Sequence, residues 1–117
     1  MDAPVLEWKS QQGGRFEPGV VVVEDAAGWT KVFKEVGQTA PSLDFTKYVG
    51  VMVFIGEKPT GGWTAVFEEP FAKGDDLVAR YHVPKPGGFV TQAFTHPWKA
   101  KAFPRPKGKL IVEAADK

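Results

Sequence analysis

Two histidines, two serines and the adjacent acids Glu68-Glu69 and Asp75-Asp76 are the residues of this chain best suited to chemistry. Nucleophilic catalysis needs a serine, threonine or cysteine beside a base, with an orienting group behind it. Ser10 and Ser42 are the only serines, and neither sits in the GxSxG pattern of a nucleophile elbow. Cysteine is absent, which removes thiol chemistry and any disulfide framework. His82 and His96 share no short metal-ligand spacing. His82 reads as a residue on the polar face of a strand and His96 as a turn residue before Pro97, so both read as structural. Asp75-Asp76 and Glu68-Glu69 lack the spacing and glycine of a calcium loop. Neighbours in a strand also point to opposite faces, which spoils a shared acid/base site. "GEKPTGGW" (56–63) has no GKS or GKT and no helix after it, so it is not a phosphate loop. These residue types point away from an enzyme and imply no cofactor and no metal. A small hydrolase or ligand-binding domain stays open as an alternative, and it requires a deep polar pocket lined by His82, His96 or Asp44.

One charge cluster stands out. Lys99, Lys101, Arg105, Lys107 and Lys109 fall within eleven residues that contain no acid. A nucleic-acid surface interleaves such a patch with exposed aromatics, and Trp98 and Phe103 flank it. The favoured reading is a basic edge strand that discourages edge-to-edge aggregation. The net charge of +1 also argues against a general polyanion binder. No apolar run approaches the roughly 18 residues of a membrane-spanning helix. The amino terminus lacks the basic start and apolar block of a signal peptide.

The elements that must position these residues follow from periodicity. At 117 residues, the whole chain (1–117) reads as a single domain. "APVLEWKS" (3–10) alternates as a short strand, and "GVVVVED" (19–25) is strand-forming by its β-branched run. Trp29, Val32, Phe33 and Val36 then fall at i, i+3, i+4 and i+7, which predicts a helix from about 26 to 36. Asp25 is its N-cap and Gly37 its stop. "YVGVMVFIG" (48–56) is apolar on both faces and so belongs at the centre of a sheet, with the helix on one side. "GWTAVFEE" (62–69), "DLVARYHV" (76–83) and "GFVTQAFT" (88–95) read as consecutive antiparallel strands. "WKAKAF" (98–103) and "KLIVEA" (109–114) close the chain. The predicted fold class is α+β and mainly β. It consists of a strongly bent antiparallel sheet or partial barrel of about seven to eight short strands, with one packed amphipathic helix.

The glycine-rich loops carry the functional signal. Gly61 and Gly62 are explained by the positive φ of a tight reversal. The aromatics at the loop edges are not: Trp63 follows "TGG", Phe89 follows "PKPGG", and Trp98 ends "THPW". Core packing is one reading of an aromatic beside a turn, and an interface anchor is the other.

The stretch from "DFTKYVGVMVFIGEKPTGGWTAVFEE" to "THPWKAKAFPRP" resembles the PrcB C-terminal-like family of protease-complex subunits, over about residues 20–113. The shared features are a helix with a tryptophan such as Trp29, the Asp44-Phe45 step, a hydrophobic strand and a "PTGG-aromatic" loop. A Pro-aromatic step before alternating basic and apolar residues completes the pattern. Trp63 and Trp98 stand where tyrosine is more usual, which keeps an aromatic at each place. The resemblance implies an exported or lipid-anchored bacterial protein, hence an extracytoplasmic location, and a subunit or stabiliser of a surface protease complex. A protein partner is therefore expected, a protease among the possibilities, with no nucleic acid. The expected contact residues are Pro59, Thr60, Gly61, Gly62 and Trp63, with Gly87, Gly88, His96, Pro97 and Trp98. A weaker likeness connects "KPTGGW" and "HPW" to the loops of chagasin-type protease inhibitors, so inhibition of a protease is the alternative use of the same loops.

Overall fold

The computed structural model describes residues 6–88 and 92–115. Eight strands form two sheets, and one short helix packs on the first of them. The first sheet has the order β1 (Glu7–Ser10), β7 (Trp98–Pro104), β3 (Tyr48–Phe54), β2 (Gly19–Val23), all antiparallel. In the second, β6 (Asp76–His82) is flanked on one edge by β4 (Val66–Phe67) and β5 (Phe71–Lys73), and on the other by β8 (Leu110–Ala114). The sheets do not close into a barrel.

β3 is central, as its two apolar faces predict, and each face builds a core. On one side Met52 and Phe54 pack with Trp98, Ala100 and the helix residues Trp29, Val32, Phe33 and Val36. On the other, Val49, Val51 and Val53 pack with Phe103, Ala79 and Leu110 between the two sheets. The result is three layers: helix, sheet, sheet.

The helix, α1, runs Ala26–Glu35 and buries Trp29, Val32 and Phe33, the predicted stripe. The Gly28 N–H donates to Asp25 Oδ1 at 2.8 Å, satisfying one of the free amides of the first turn. Gly37, with φ of 77°, ends it. Trp29 lies against β3 at Gly50, where even a methyl group would stand 2.6 Å from the ring atom Cε3.

Four expectations change. β8 pairs with β6 in parallel (Leu77 with Leu110, Val78 with Ile111), so the fold is not wholly antiparallel. β7 lies between them in sequence but belongs to the other sheet, so the chain returns to β6 in the same direction. The predicted strand 62–69 shrinks to Val66–Phe67, and β5 forms in a segment read as loop. The registers Phe67–Tyr81 and Phe71–Val78 leave residues 68–70 facing only 79–80, a bulge that accommodates Pro70. Of the strand expected at 88–95, residues 89–91 lie outside the described residues. Of the rest, only Thr95 pairs, in an isolated bridge with Lys58.

The fourth correction concerns the basic cluster, because β7 is an interior strand and not an edge. Lys99 and Lys101 share a face with Val53 and Val51, their partners on β3, while Ala100 packs on the helix side. Glu7, opposite Lys101 on β1, bonds Lys99 Nζ at 2.8 Å and lies 3.7 Å from Lys101 Nζ. The lysine stems thus roof the inter-sheet core beside Phe67, with their charges matched at the rim. Arg105 points elsewhere, donating to the carbonyls of Phe45 and Glu24 at 2.7 Å each.

The hydrogen bond from Lys99 is the main influence holding the Glu7 carboxyl below its ordinary value of 4.5; burial opposes it, and the charges of Lys99 and Lys101 add to the lowering. A carboxyl lowered on folding stabilises above its unfolded value, and that stability is lost as pH falls through the folded value. Glu7→Gln is therefore expected to destabilise the protein modestly at pH 7, with the difference vanishing well below pH 4.5. Urea midpoints of both proteins across that range are the check, and a gap independent of pH would contradict the pairing.

Candidate functional site

β1 and β3 end, and β2 and β7 begin, at the same end of the first sheet. The connections 11–18, 55–65 and 94–97 are therefore brought together there. Gln11 joins all three. Its side-chain Oε1 accepts from the Gly62 N–H at 2.9 Å and its Nε2 donates to the Trp63 carbonyl at 2.6 Å, while its own carbonyl accepts from the His96 N–H at 2.9 Å. Lys58 and Thr95 exchange backbone hydrogen bonds of 2.9 and 2.8 Å, and Thr95 Oγ1 donates to the Thr60 carbonyl at 2.8 Å. The Gly14 N–H donates to the His96 carbonyl at 2.9 Å, and the Glu57 N–H to the Phe16 carbonyl at 2.9 Å. An added Cβ on Gly14 would lie 2.5 Å from the His96 carbonyl oxygen, so this approach requires glycine.

The contact residues expected from sequence divide into three groups. Pro59 and Gly62 are exposed and Thr60 half-buried, while Gly61 is buried. Gly87 and Gly88 are exposed in a run with no atom near enough to crowd a side chain there. Trp63 is half-buried: its Nε1 donates to Thr60 Oγ1 at 3.0 Å, Lys58 Nζ stands 4.5 Å above the ring, and its inner face rests on the inter-sheet core. It is a wall of the loop cluster and not a projecting tip.

Pro97 and Trp98 are buried, and Trp98 is only 1% exposed. Its ring meets Phe33 edge-on at 5.6 Å, and its Nε1 donates to the Gln12 carbonyl at 3.0 Å. The expectation of an indole held out for a partner is corrected here. Trp98 is the first residue of β7, and the alternation that turns Lys99 to one face turns Trp98 into the helix-side core.

The exposed rings at this end are different ones. Phe16 is 70% exposed and Phe94 is 68% exposed. Phe16 stacks on His96 with ring centres 4.6 Å apart and planes 17° from parallel. His96 Nε2 in turn lies 3.0 Å from Glu57 Oε2. Thr95 is buried, so Phe94 and His96, its neighbours on either side, turn outward together. Phe16 follows Gly13-Gly14 and precedes Pro18. It is thus an aromatic among turn residues, the signal read at Trp63, but it went unread at Phe16. Nothing in the sequence marks Gln11.

The polar residues considered for a pocket do not converge. Asp44 precedes β3 and His96 lies beyond its far end, about 20 Å away at the rise of a strand. The Thr46 hydroxyl and amide donate to Asp44 Oδ1 at 2.6 and 3.0 Å, holding its carboxyl below the usual range within a local turn. His82 pairs with Val66 on the second sheet, with Nδ1 3.7 Å from Glu68 Oε2.

Neither the curated proteins nor the solved structures contain a match to this chain. A family model does match, over residues 50–104, just under half of the sequence. That stretch runs from within β3 through β7 and includes the 55–65 and 94–97 connections described above. The resemblance read from the loop motif is borne out: over residues 50–104 this chain is a match to the PrcB C-terminal family.

Proposed function

We propose that this chain is a non-enzymatic protein-binding domain, a subunit or stabiliser of an exported bacterial protease complex, acting outside the cytoplasm. It binds its partner with the joined loops at the end of the first sheet. The observation that carries this reading is the pair of exposed rings, Phe16 and Phe94, beside His96 on a base cross-linked by Gln11. A large apolar side chain left in water on a cross-linked support has little freedom left to lose when it is covered, and such residues dominate interface energies. Trp63 and Thr60 support that base, and the glycines allow close approach of a partner's backbone.

The test is capture from the envelope fraction of the source organism, with the intact domain and with Phe16→Ala/Phe94→Ala as bait. Each anchor is worth about 2 kcal/mol at an interface centre, so the double variant is expected to lose partner binding by roughly several hundredfold. Its melting temperature should stay unchanged, because both rings are exposed. Equal capture by both baits would sink the assignment. Slowing of a protease panel by the intact domain would turn the reading to inhibition by the same loops.

A further inference from the structure

Among the described residues, β2 is a terminal strand of the first sheet with its outer edge unpaired. The Ile55 N–H donates to the Pro97 carbonyl at 3.1 Å, which makes 55 and 97 a hydrogen-bonded pair. Bonding alternates along an antiparallel ladder, so Val53 and Val51 bond β7, and Gly50, Met52 and Phe54 bond β2 through Val23, Val21 and Gly19. The N–H and C=O of Val20 and Val22 consequently point away from the sheet. Among the described residues β2 pairs with β3 alone, and β8 approaches it without pairing. The Val20 and Val22 side chains are 37% and 40% exposed. A groove between this strand and α1, floored by Val21, Val23 and Val32, runs along the same edge.

We propose that this edge accepts an extended segment of a partner protein as an added strand, with alternating apolar residues in the middle and basic residues at both ends. The ladder has natural limits. Pro18 has no N–H to offer at one end, and at the other the Glu24 carbonyl is already taken by Arg105. Two valines remain, each with one donor and one acceptor. Backbone bonding supplies the affinity and the groove receives alternate side chains.

Charge selects the occupant. Glu17, Glu24 and Asp25, all exposed, flank the valine run, with no basic residue from 16 to 30. Arg15 nearby is bound to Glu35 at 2.6 Å, which leaves Lys31 in the groove and Arg105, on the Glu24 carbonyl, as the cations against the three acids of the edge. A second copy of this chain fits poorly. The antiparallel register that pairs Val20 with Val22 of the other copy sets Glu17 against its Asp25, like charges facing each other.

The experiment follows amide exchange of Val20, Val21, Val22 and Val23 by NMR in the intact chain at low salt. The probe is a capped peptide of alternating valine and threonine with two lysines at each end, compared with the same peptide ended by glutamates. Excess basic peptide is expected to slow exchange at Val20 and Val22 at least tenfold and leave Val21 and Val23 unchanged. The acidic peptide should have no effect on the wild type, and the preference should reverse in Glu17→Lys/Glu24→Lys. Unchanged exchange with the basic peptide, or equal protection by both peptides, would overturn the proposal. Protection that rises with protein concentration alone would overturn it in favour of a second copy.

Discussion

Trp98→Ala is expected to lower the unfolding free energy by about 4 kcal/mol, the usual loss for a fully buried tryptophan. For a chain of this size that is a drop of roughly 15–20 °C in melting temperature. The ring is 1% exposed and fills the space between β7 and Phe33. Removing it leaves a cavity that the helix and two strands, each fixed by other contacts, can only partly close. The Gln12 carbonyl also loses its donor, so the 11–18 connection should loosen. Denaturant unfolding and calorimetry read the first effect. A loss below about 1 kcal/mol would mean that the ring is not a core residue.

The second large effect comes from adding one carbon. Gly50→Ala places a methyl group against the ring of Trp29, which is held by aromatic neighbours and a hydrogen bond. Trp29 is 2% exposed, with Trp8, Phe33 and Phe45 against it at 5.6, 4.7 and 6.0 Å, and its Nε1 donates to the Pro41 carbonyl at 3.0 Å. Overpacking of this kind costs about 3 kcal/mol, through displaced rotamers or a shift of the helix from the sheet. Gly87→Ala is the control: open space surrounds that position, and no change in stability is expected. Combining Gly50→Ala with Trp29→Phe should recover part of the loss, because the two sites share one volume. Additive losses would show that the clash is not with the indole.

What the sequence revealed and what it hid have physical causes. The helix was legible because four apolar residues at helical spacing lie between an aspartate cap and a glycine stop. The central place of β3 was legible because a strand apolar on both sides has no face to show water. The direction of β8 was not, since alternation is the same whether a strand runs with or against its neighbour. Lys99 and Lys101 misled for a related reason. A Lys-Ala-Lys-Ala pattern suits an exposed edge and equally an interior strand whose neighbour brings Glu7 within reach. The loop motif pointed to the joined loops at the end of the first sheet, but the rings exposed there are Phe16 and Phe94, while Trp98 is buried. An aromatic next to a turn can face either way, and Trp98 was turned inward by its place at the start of a buried strand. Gln11 acts through contacts with residues 52 and 51 positions away, which no local pattern records.

The parallel return of β8 bears on how the molecule comes to be. β6 waits for a partner that arrives only after the intervening chain has gone across and built β7 into the opposite sheet. Such distant pairings must be closed against chain entropy before any contact rewards them. Acquisition of the native state is consequently slow for a chain of this length, and until it is complete β6 stands with one side bare, a period in which the nascent molecule is open to association with its own kind.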